Sequence, residues 1–165
     1  MGHAQRLQNN EEGRTAFKRL RKEEDIFMND NELLQEAKKA RLKAYTPYSG
    51  FQVGAALLGK SGTVYYGCNI ENAAYTPTNC AERTAFFKAV SEGEREFEKI
   101  AIAGGKTGDS GDVLCAPCGV CRQIMMEFCN PDTFRIILSD GPEACKIFTL
   151  KELLPCGFGP ANLDN

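Results

Sequence analysis

The sequence predicts an α/β fold in which one β-sheet has helices on both faces. Two observations lead to this prediction. Residues 51–58 and 63–70 are strand-like segments on either side of a short turn at Lys60-Ser61-Gly62, a pattern typical of a β-hairpin. After this hairpin, helical and strand-like segments alternate along most of the remaining chain. The chain has 165 residues, of which 42% are hydrophobic, and this fits one globular domain with or without a tail.

The N-terminal part is predicted to contain a tail and the first helix. Residues 1–28 form the expected tail, because charges of both signs interleave there with few large apolar residues. The domain is then expected at residues 29–165. Its first helix is predicted over residues 29–44, where apolar residues recur at helical spacing, with Asn31 or Asp30 as the cap.

The later elements follow from short apolar runs and from the turn residues between them. After the hairpin we expect a helix over residues 80–91, a strand over 99–103, a helix from 117 to 128, strands over 134–138 and 144–148, and a short helix over 150–154.

Composition argues against several classes of function. With 20 Lys and Arg against 22 Asp and Glu, the formal net charge is -2, which argues against binding to nucleic-acid phosphates. The one histidine, His3, lies in the predicted tail, so a Ser-His-Asp triad or a two-histidine metal motif would need a tail residue. No apolar run approaches the roughly 18 residues of a membrane span, and no secretory signal is expected. The eight cysteines therefore predict free thiols, metal ligands or redox chemistry in the cytoplasm rather than disulfides.

The strongest chemical pattern combines cysteine with glutamate. Cys118 and Cys121 are three residues apart and share one face at the start of a predicted helix, and Cys80 starts another. Helix N-termini favour thiolates, so two such ends that meet would present three of them at one point. Three protein ligands leave the fourth position of a zinc ion open for water, as in catalytic sites. Glu82 is placed to approach that water and carry its proton.

Two arginines follow the predicted ligands. Three thiolates give a zinc centre a net negative charge, which would make its water less acidic, and helix dipoles offset part of this. Arg83 is predicted to offset more by donating a hydrogen bond to a thiolate sulfur. Arg122 is expected to be an ordinary solvated helix residue.

These residues resemble a known family. Cys-Ala-Glu followed by Pro-Cys-x-x-Cys is the zinc-deaminase signature in its three-cysteine version. Five motifs, two of which contain this signature, occur in family order: Tyr48-Ser49-Gly50-Phe51-Gln52-Val53-Gly54-Ala55-Ala56, Gly67-Cys68-Asn69-Ile70-Glu71-Asn72-Ala73, Cys80-Ala81-Glu82-Arg83-Thr84-Ala85, Pro117-Cys118-Gly119-Val120-Cys121-Arg122-Gln123 and Leu153-Leu154-Pro155-Cys156-Gly157-Phe158-Gly159-Pro160. The chain is therefore similar, over about residues 31–163, to the small homotetrameric cytidine deaminases of pyrimidine salvage.

The resemblance implies a fold and a reaction. The fold would be three-layer α/β/α with a mixed five-stranded sheet, and the reaction would be hydrolysis of cytidine and 2′-deoxycytidine to uridine and 2′-deoxyuridine with release of ammonia. Cys80, Cys118 and Cys121 would bind one Zn²⁺ per chain. Glu82 would move a proton from water to N3 of the pyrimidine and then to the leaving ammonia. The implied partners are a small nucleoside and other copies of the chain, without nucleic acid or membrane.

The resemblance also implies substrate contacts. Asn69 and Glu71 match an Asn-x-Glu pair that hydrogen-bonds the 3′-hydroxyl of the sugar, which both substrates carry. Phe51 matches an aromatic residue that lines the base pocket, although its alternation with Val53 is also typical of an ordinary core position. Asn69 and Glu71 could likewise simply end a strand and begin a turn.

Three further residues match segments that reach a neighbouring subunit. Ala73 and Tyr75 match a loop that enters the neighbour's site, and Phe158 matches a C-terminal aromatic residue that packs on the base across the interface. A monomer's site would then be incomplete. Phe158 could instead be a local cap on the tail. Cys115 departs from many relatives, and a fourth thiolate could close the open zinc position, although the tight turn is expected to direct it elsewhere.

Four alternatives remain open at this stage. Cys115-x-x-Cys118-x-x-Cys121 copies the opening of an iron–sulfur run but lacks its fourth ligand, and Cys118-x-x-Cys121 alone would suit a thiol–disulfide oxidoreductase. A structural zinc module would normally use four ligands. A deaminase of a nucleoside antibiotic shares the zinc motifs, although Asn69-Ile70-Glu71-Asn72 favours an ordinary ribose.

Overall fold

The computed structural model describes residues 28–163, so the predicted tail lies outside the described residues except for Met28. The elements follow in chain order: α1 (Asp30–Arg41), β1 (Phe51–Gly59), β2 (Val64–Cys68), α2 (Ala81–Ser91), β3 (Phe97–Lys106), α3 (Gly119–Phe128), β4 (Arg135–Ser139), β5 (Cys145–Thr149), α4 (Leu150–Leu153) and a 3₁₀ turn (Pro160–Asn162). None of the helices in this part of the chain is long and apolar enough to cross a membrane.

The strands form one mixed five-stranded sheet in the order β2-β1-β3-β4-β5. β1 pairs antiparallel with both β2 and β3, as the hairpin pattern predicted for its first partner. β3 and β4 are parallel, and β5 returns antiparallel beside β4.

Helices cover both faces of this sheet, which confirms the predicted three-layer fold. Alternate residues of a strand point to opposite faces, so Leu57 and Leu58 enter different clusters of buried side chains. Leu58 packs with Leu33 of α1 on one face. Leu57 packs on the other face in the larger cluster, which also contains residues from α2 and α3.

The start of α1 differs from the prediction. The cap is Asn29, whose side-chain oxygen accepts the backbone N–H of Glu32 at 3.0 Å, while Glu32 accepts the backbone N–H of Asn29 at 2.9 Å. Asp30 and Asn31 are the first helical residues instead. The reciprocal pair satisfies two amide groups at once, which a cap further along the chain could not do with Glu32.

β3 is longer than the predicted strand over residues 99–103. Its extra residues from Gly104 to Lys106 pair with Val53 to Phe51 of β1. The partner strand therefore extends β3 into a segment whose glycines indicated a loop.

β2 approaches α2 closely at Gly67. A Cβ atom at this position would collide with the carbonyl oxygen of Ala81 and press on the amide nitrogen of Ala85. The absence of a side chain thus lets the first turn of α2 lie directly on the sheet.

Candidate metal centre

Two helix N-termini present the predicted cysteines. Cys80 is the N-cap residue of α2 and Cys118 is the N-cap residue of α3, both with extended backbone. Neither side chain makes a capping hydrogen bond, so both sulfur atoms are available. Cys121 lies in the first turn of α3 and is buried. The predicted helix starts at residues 80 and 117 are thus confirmed to within two residues.

The three sulfur atoms converge. Cys118 Sγ lies 3.4 Å from Cys121 Sγ and 3.8 Å from Cys80 Sγ, and all three fall within 4.8 Å of one another. Two thiolates bound to one zinc ion at tetrahedral angles would be about 3.8 Å apart, since each Zn–S bond is about 2.3 Å. The donor set and its spacing therefore fit zinc. We call Cys80, Cys118 and Cys121 the metal cluster.

The metal cluster stabilises negative charge at Cys80. A hydrogen bond from the Cys121 thiol lowers the pKa of Cys80 to about 5, assisted by Arg83 and Cys118. The same hydrogen bond raises the pKa of Cys121, because its thiol keeps the proton that it donates to the Cys80 thiolate, and burial acts in the same direction. A thiolate is the ligand form of cysteine, so Cys80 already favours the form that binds a cation.

Arg83 and Arg122 have different surroundings. The Nη2 atom of Arg83 lies 3.7 Å from Cys80 Sγ and donates to the carbonyl oxygen of Thr78 at 2.9 Å. The expectation that Arg122 is solvated is wrong, because its Nε donates to Pro117 and its Nη1 to Leu153, each at 2.7 Å. Arg122 thus ties the start of α3 to the C-terminal segment.

Glu82 lies beside the metal cluster in the first turn of α2. Only 5% of the residue is exposed. Burial raises the pKa of Glu82 to about 7, and the charge on Cys80 acts in the same direction. A carboxyl group of this kind can both accept and release a proton near neutral pH.

Cys115 is not a member of the metal cluster found among the described residues. Its side chain and the ring of Phe51 both pack over Gly104. Burial raises the pKa of Cys115 to about 11, with smaller contributions from the charges of Glu82 and Cys80. A neutral thiol outside the cluster does not close a fourth ligand position, and the iron–sulfur alternative loses one of its three cysteines.

A hollow of about 380 Å³ is lined in part by Glu71. Its lining is Tyr48, Ser49, Glu71, Asn72, Tyr75 and Thr78. The contact of Arg83 with both Thr78 and Cys80 joins this hollow to the metal cluster. We call the six lining residues the rim.

Glu71 and Asn69 hold the backbone beside the rim. Glu71 Oε2 accepts the backbone N–H groups of Tyr48 and Ser49 at 2.9 and 3.2 Å. The Ser49 hydroxyl and these amides lower the pKa of Glu71, which favours the carboxylate. The Asn69 amide accepts from the backbone of Val53 at 2.8 Å and donates to that of Phe51 at 2.9 Å, so it fixes the strand that carries the aromatic ring.

The residues predicted to reach a neighbouring subunit are exposed. Tyr75 is 77% exposed and Phe158 is 59% exposed, and Ala73 is exposed as well. Tyr75 has φ of 59°, an uncommon conformation for a bulky residue. Gln123 of α3 donates to the carbonyl oxygen of Phe158 at 2.8 Å, a contact that sequence reasoning missed because the two residues are far apart in the chain.

Comparison with known proteins identifies relatives of this arrangement. The family described as the cytidine and deoxycytidylate deaminase zinc-binding region matches residues 28–136. A cytidine deaminase of Sporosarcina psychrophila is 48% identical over 137 residues, which cover 83% of this chain and 96% of the relative. One from Halalkalibacterium halodurans is 48% identical over 133 residues, covering 81% and 96%. The crystal structure of cytidine deaminase from Burkholderia pseudomallei matches with a TM-score of 0.71 at 45% identity, covering 79% of this chain and 100% of that one.

Proposed function

This chain belongs to the cytidine deaminase family, and from that membership we propose that it hydrolyses cytidine and 2′-deoxycytidine to uridine and 2′-deoxyuridine in pyrimidine salvage. Water supplies the new carbonyl oxygen at C4, and the 4-amino group leaves as ammonia. One observation carries the proposal: three cysteine sulfurs converge at two helix N-termini with a buried carboxyl group beside them. Cytidine deaminases at 48% identity over most of the chain support the same reaction.

The metal cluster would hold one zinc ion per chain. Zinc bound there would lower the pKa of water enough to supply hydroxide at neutral pH. Glu82 would accept the proton of that water on its carboxylate and deliver it to N3 of the pyrimidine. The same carboxylate would then accept the proton of the hydroxyl group added at C4 and pass it to the departing amino group. Its burial keeps bulk water from competing for this proton.

The rim would bind the nucleoside. Glu71 would accept a hydrogen bond from the 3′-hydroxyl of the sugar, with Asn69 as its neighbour in the motif. A substrate lacking this hydroxyl would leave a polar group without its partner, which is a strong basis for discrimination. Phe51 would offer its ring to the pyrimidine, and its packing beside Cys115 supports a place near the base.

We further propose that the active form is a homotetramer. The high exposure of Tyr75 and Phe158 supports this, because exposed aromatic residues of this size are typical of protein interfaces. Ala73, Tyr75 and Phe158 would then complete the site of a neighbouring subunit. A cytoplasmic location is consistent with the eight free cysteines, since thiols stay reduced there.

The test is conversion of cytidine by purified protein with measured zinc content. Ultraviolet absorbance follows loss of the cytosine ring, and Glu82→Gln is compared with Glu92→Gln, which changes an exposed residue at the far end of α2. We expect zinc near one per chain in all three proteins and a loss of kcat of about 10³-fold in Glu82→Gln alone.

Other results would change the conclusion. If the protein binds zinc but converts neither nucleoside, the proposed substrate would become a modified cytosine nucleoside, such as an antibiotic. Protein that binds no zinc would overturn the proposed chemistry.

A further inference from the structure

Arg41 is a buried cation that has no carboxylate partner within the described part of the chain. It is 2% exposed, and none of the ion pairs among residues 28–163 includes it. Its Nη1 donates to the carbonyl oxygens of Gly105 and Lys106, each at 3.3 Å, and its Nη2 donates to that of Asp109. Burial of a charge against neutral acceptors is costly, so the contacts it makes deserve a functional explanation.

These contacts shape residues 105–111, the last two residues of β3 and the turn after it, which we call the Arg41 loop. The loop also closes on itself, because the carboxylate of Asp109 accepts the backbone N–H of Lys106 at 3.1 Å. Gly111 has φ of 85°, and a Cβ atom there would lie 2.7 Å from Arg41 Nε. The loop backbone therefore wraps closely around the guanidinium group.

The Arg41 loop holds the strand that enters the predicted nucleoside site. Thr107 donates twice to the carbonyl oxygen of Gly50, from its backbone N–H at 2.8 Å and from its hydroxyl at 3.1 Å. Gly50 precedes Phe51. On its other side the same segment is held by Glu71, which accepts from the amides of Tyr48 and Ser49. Residues 48–51 are thus fixed between the Arg41 loop and Glu71.

We propose that Arg41 and Thr107 are positioning residues for the nucleoside: the guanidinium group fixes the Arg41 loop, and Thr107 transmits that order to residues 48–51. Neither residue contacts the substrate. Their effect is to keep Phe51 aligned for the base and Glu71 aligned for the 3′-hydroxyl. This inference rests on the proposed deamination of cytidine.

The first test uses Thr107→Val, which removes the hydroxyl but retains the backbone donor and the branched shape. Loss of one neutral hydrogen bond predicts a rise in KM of about two- to tenfold with kcat changed less than about twofold. Thr107→Ser keeps the hydroxyl and is expected to restore the wild-type KM. Zinc content is measured for each protein and is expected to stay constant, because the metal cluster lies on other elements.

The second test compares cytidine with 3′-deoxycytidine in the same proteins. In the wild type, loss of the 3′-hydroxyl should lower kcat/KM strongly. In Thr107→Val the kcat/KM values of the two substrates should differ less, because the segment whose amides position Glu71 has lost one of its two hydrogen bonds from Thr107. A general loss of folding would lower kcat/KM for both substrates by the same factor. That result would overturn the proposal.

Arg41→Met and Arg41→Lys extend the test. We expect the larger rise in KM for Arg41→Met, and partial rescue by Arg41→Lys, which keeps a donor for some of the carbonyl groups. If Arg41→Met does not fold, the Thr107 variants still decide the question. A wild-type KM in Thr107→Val would overturn this inference alone, whereas a wild-type protein that does not convert cytidine would overturn the proposed function and this inference with it.

Discussion

The metal cluster and the rim differ in what supports them. The metal cluster lies at the starts of α2 and α3, whose following residues are part of the main buried core, such as Ala81 and Met125. The rim lies on loops, and its aromatic members Tyr48 and Tyr75 are 54% and 77% exposed. The three cysteines and Glu82 therefore come together within one chain, whereas the rim includes strongly exposed side chains.

This difference predicts two kinds of mutational response. A change in the metal cluster removes a ligand from a site with three donors, so its effect should be nearly all-or-none. A change at the rim weakens one of several contacts, so its effect should be graded and should fall mainly on KM.

The largest effect is expected for Cys121→Ser. A hydroxyl group is a poor substitute for a buried thiolate, so zinc affinity should fall more than about 100-fold and turnover should fall to background. Metal analysis after gel filtration and the cytidine assay measure both. Cys156→Ser, at an exposed cysteine outside the cluster, is the matched control. Full zinc occupancy in Cys121→Ser would contradict the predicted all-or-none response of the metal cluster and its difference from the rim.

The next effect is expected for Glu71→Gln at the rim. The amide keeps the shape but loses the charge that accepts from Tyr48 and Ser49, so KM for cytidine should rise roughly tenfold or more while zinc is retained. Steady-state kinetics give the split between KM and kcat, with Glu92→Gln as the control. An unchanged KM with a lower kcat would mean that Glu71 acts in the reaction rather than in binding.

A smaller effect is expected for Phe158→Ala, and it tests whether the rim is completed by another chain. Loss of one aromatic contact should lower kcat/KM about tenfold. Hybrid oligomers of Phe158→Ala and Glu82→Gln chains should be more active than the sum of the two parents, because each supplies what the other lacks. Activity equal to that sum would place Phe158 in the site of its own chain.

The smallest effect is expected for Cys156→Gly. Cys156 has φ of 58°, where a side chain is disfavoured, so glycine should stabilise the protein by up to about 1 kcal/mol. Thermal unfolding should show a slightly higher Tm with unchanged zinc content. Cys145→Gly, at the start of β5, should instead lower Tm, since glycine weakens a strand. A lower Tm in both variants would show that the conformation of Cys156 costs nothing.

The features that could be predicted from the sequence are those marked by residues close together in the chain. The helix starts at Cys80 and Cys118 could be predicted, because N-terminal positions are marked by local residues such as Pro117 and the spacing of Cys118 and Cys121. The cap of α1 was missed, although Asn29-x-x-Glu32 is a local signal that could have located it. Unpaired cysteines are usually buried, but Cys156 is exposed.

The contacts that could not be predicted are those between distant segments. The prediction that Arg122 is solvated failed because its acceptor at Leu153 is 31 residues away in the sequence. The burial of Arg41 depends on carbonyl oxygens more than 60 residues later in the chain. Backbone carbonyl groups are present at every residue, so no residue type in the sequence marks the ones that an arginine will contact.

Gly67 has a consequence for the evolution of this protein. It is not among the residues proposed to bind zinc or the nucleoside, yet any side chain there would push against Ala81, the residue between Cys80 and Glu82. In a saturation mutagenesis library selected for growth on cytidine, position 67 should tolerate as few substitutions as the ligand cysteines do. Intolerance to mutation at Gly67 would then report the short distance between the backbones of β2 and α2, and not the need for a particular chemical group.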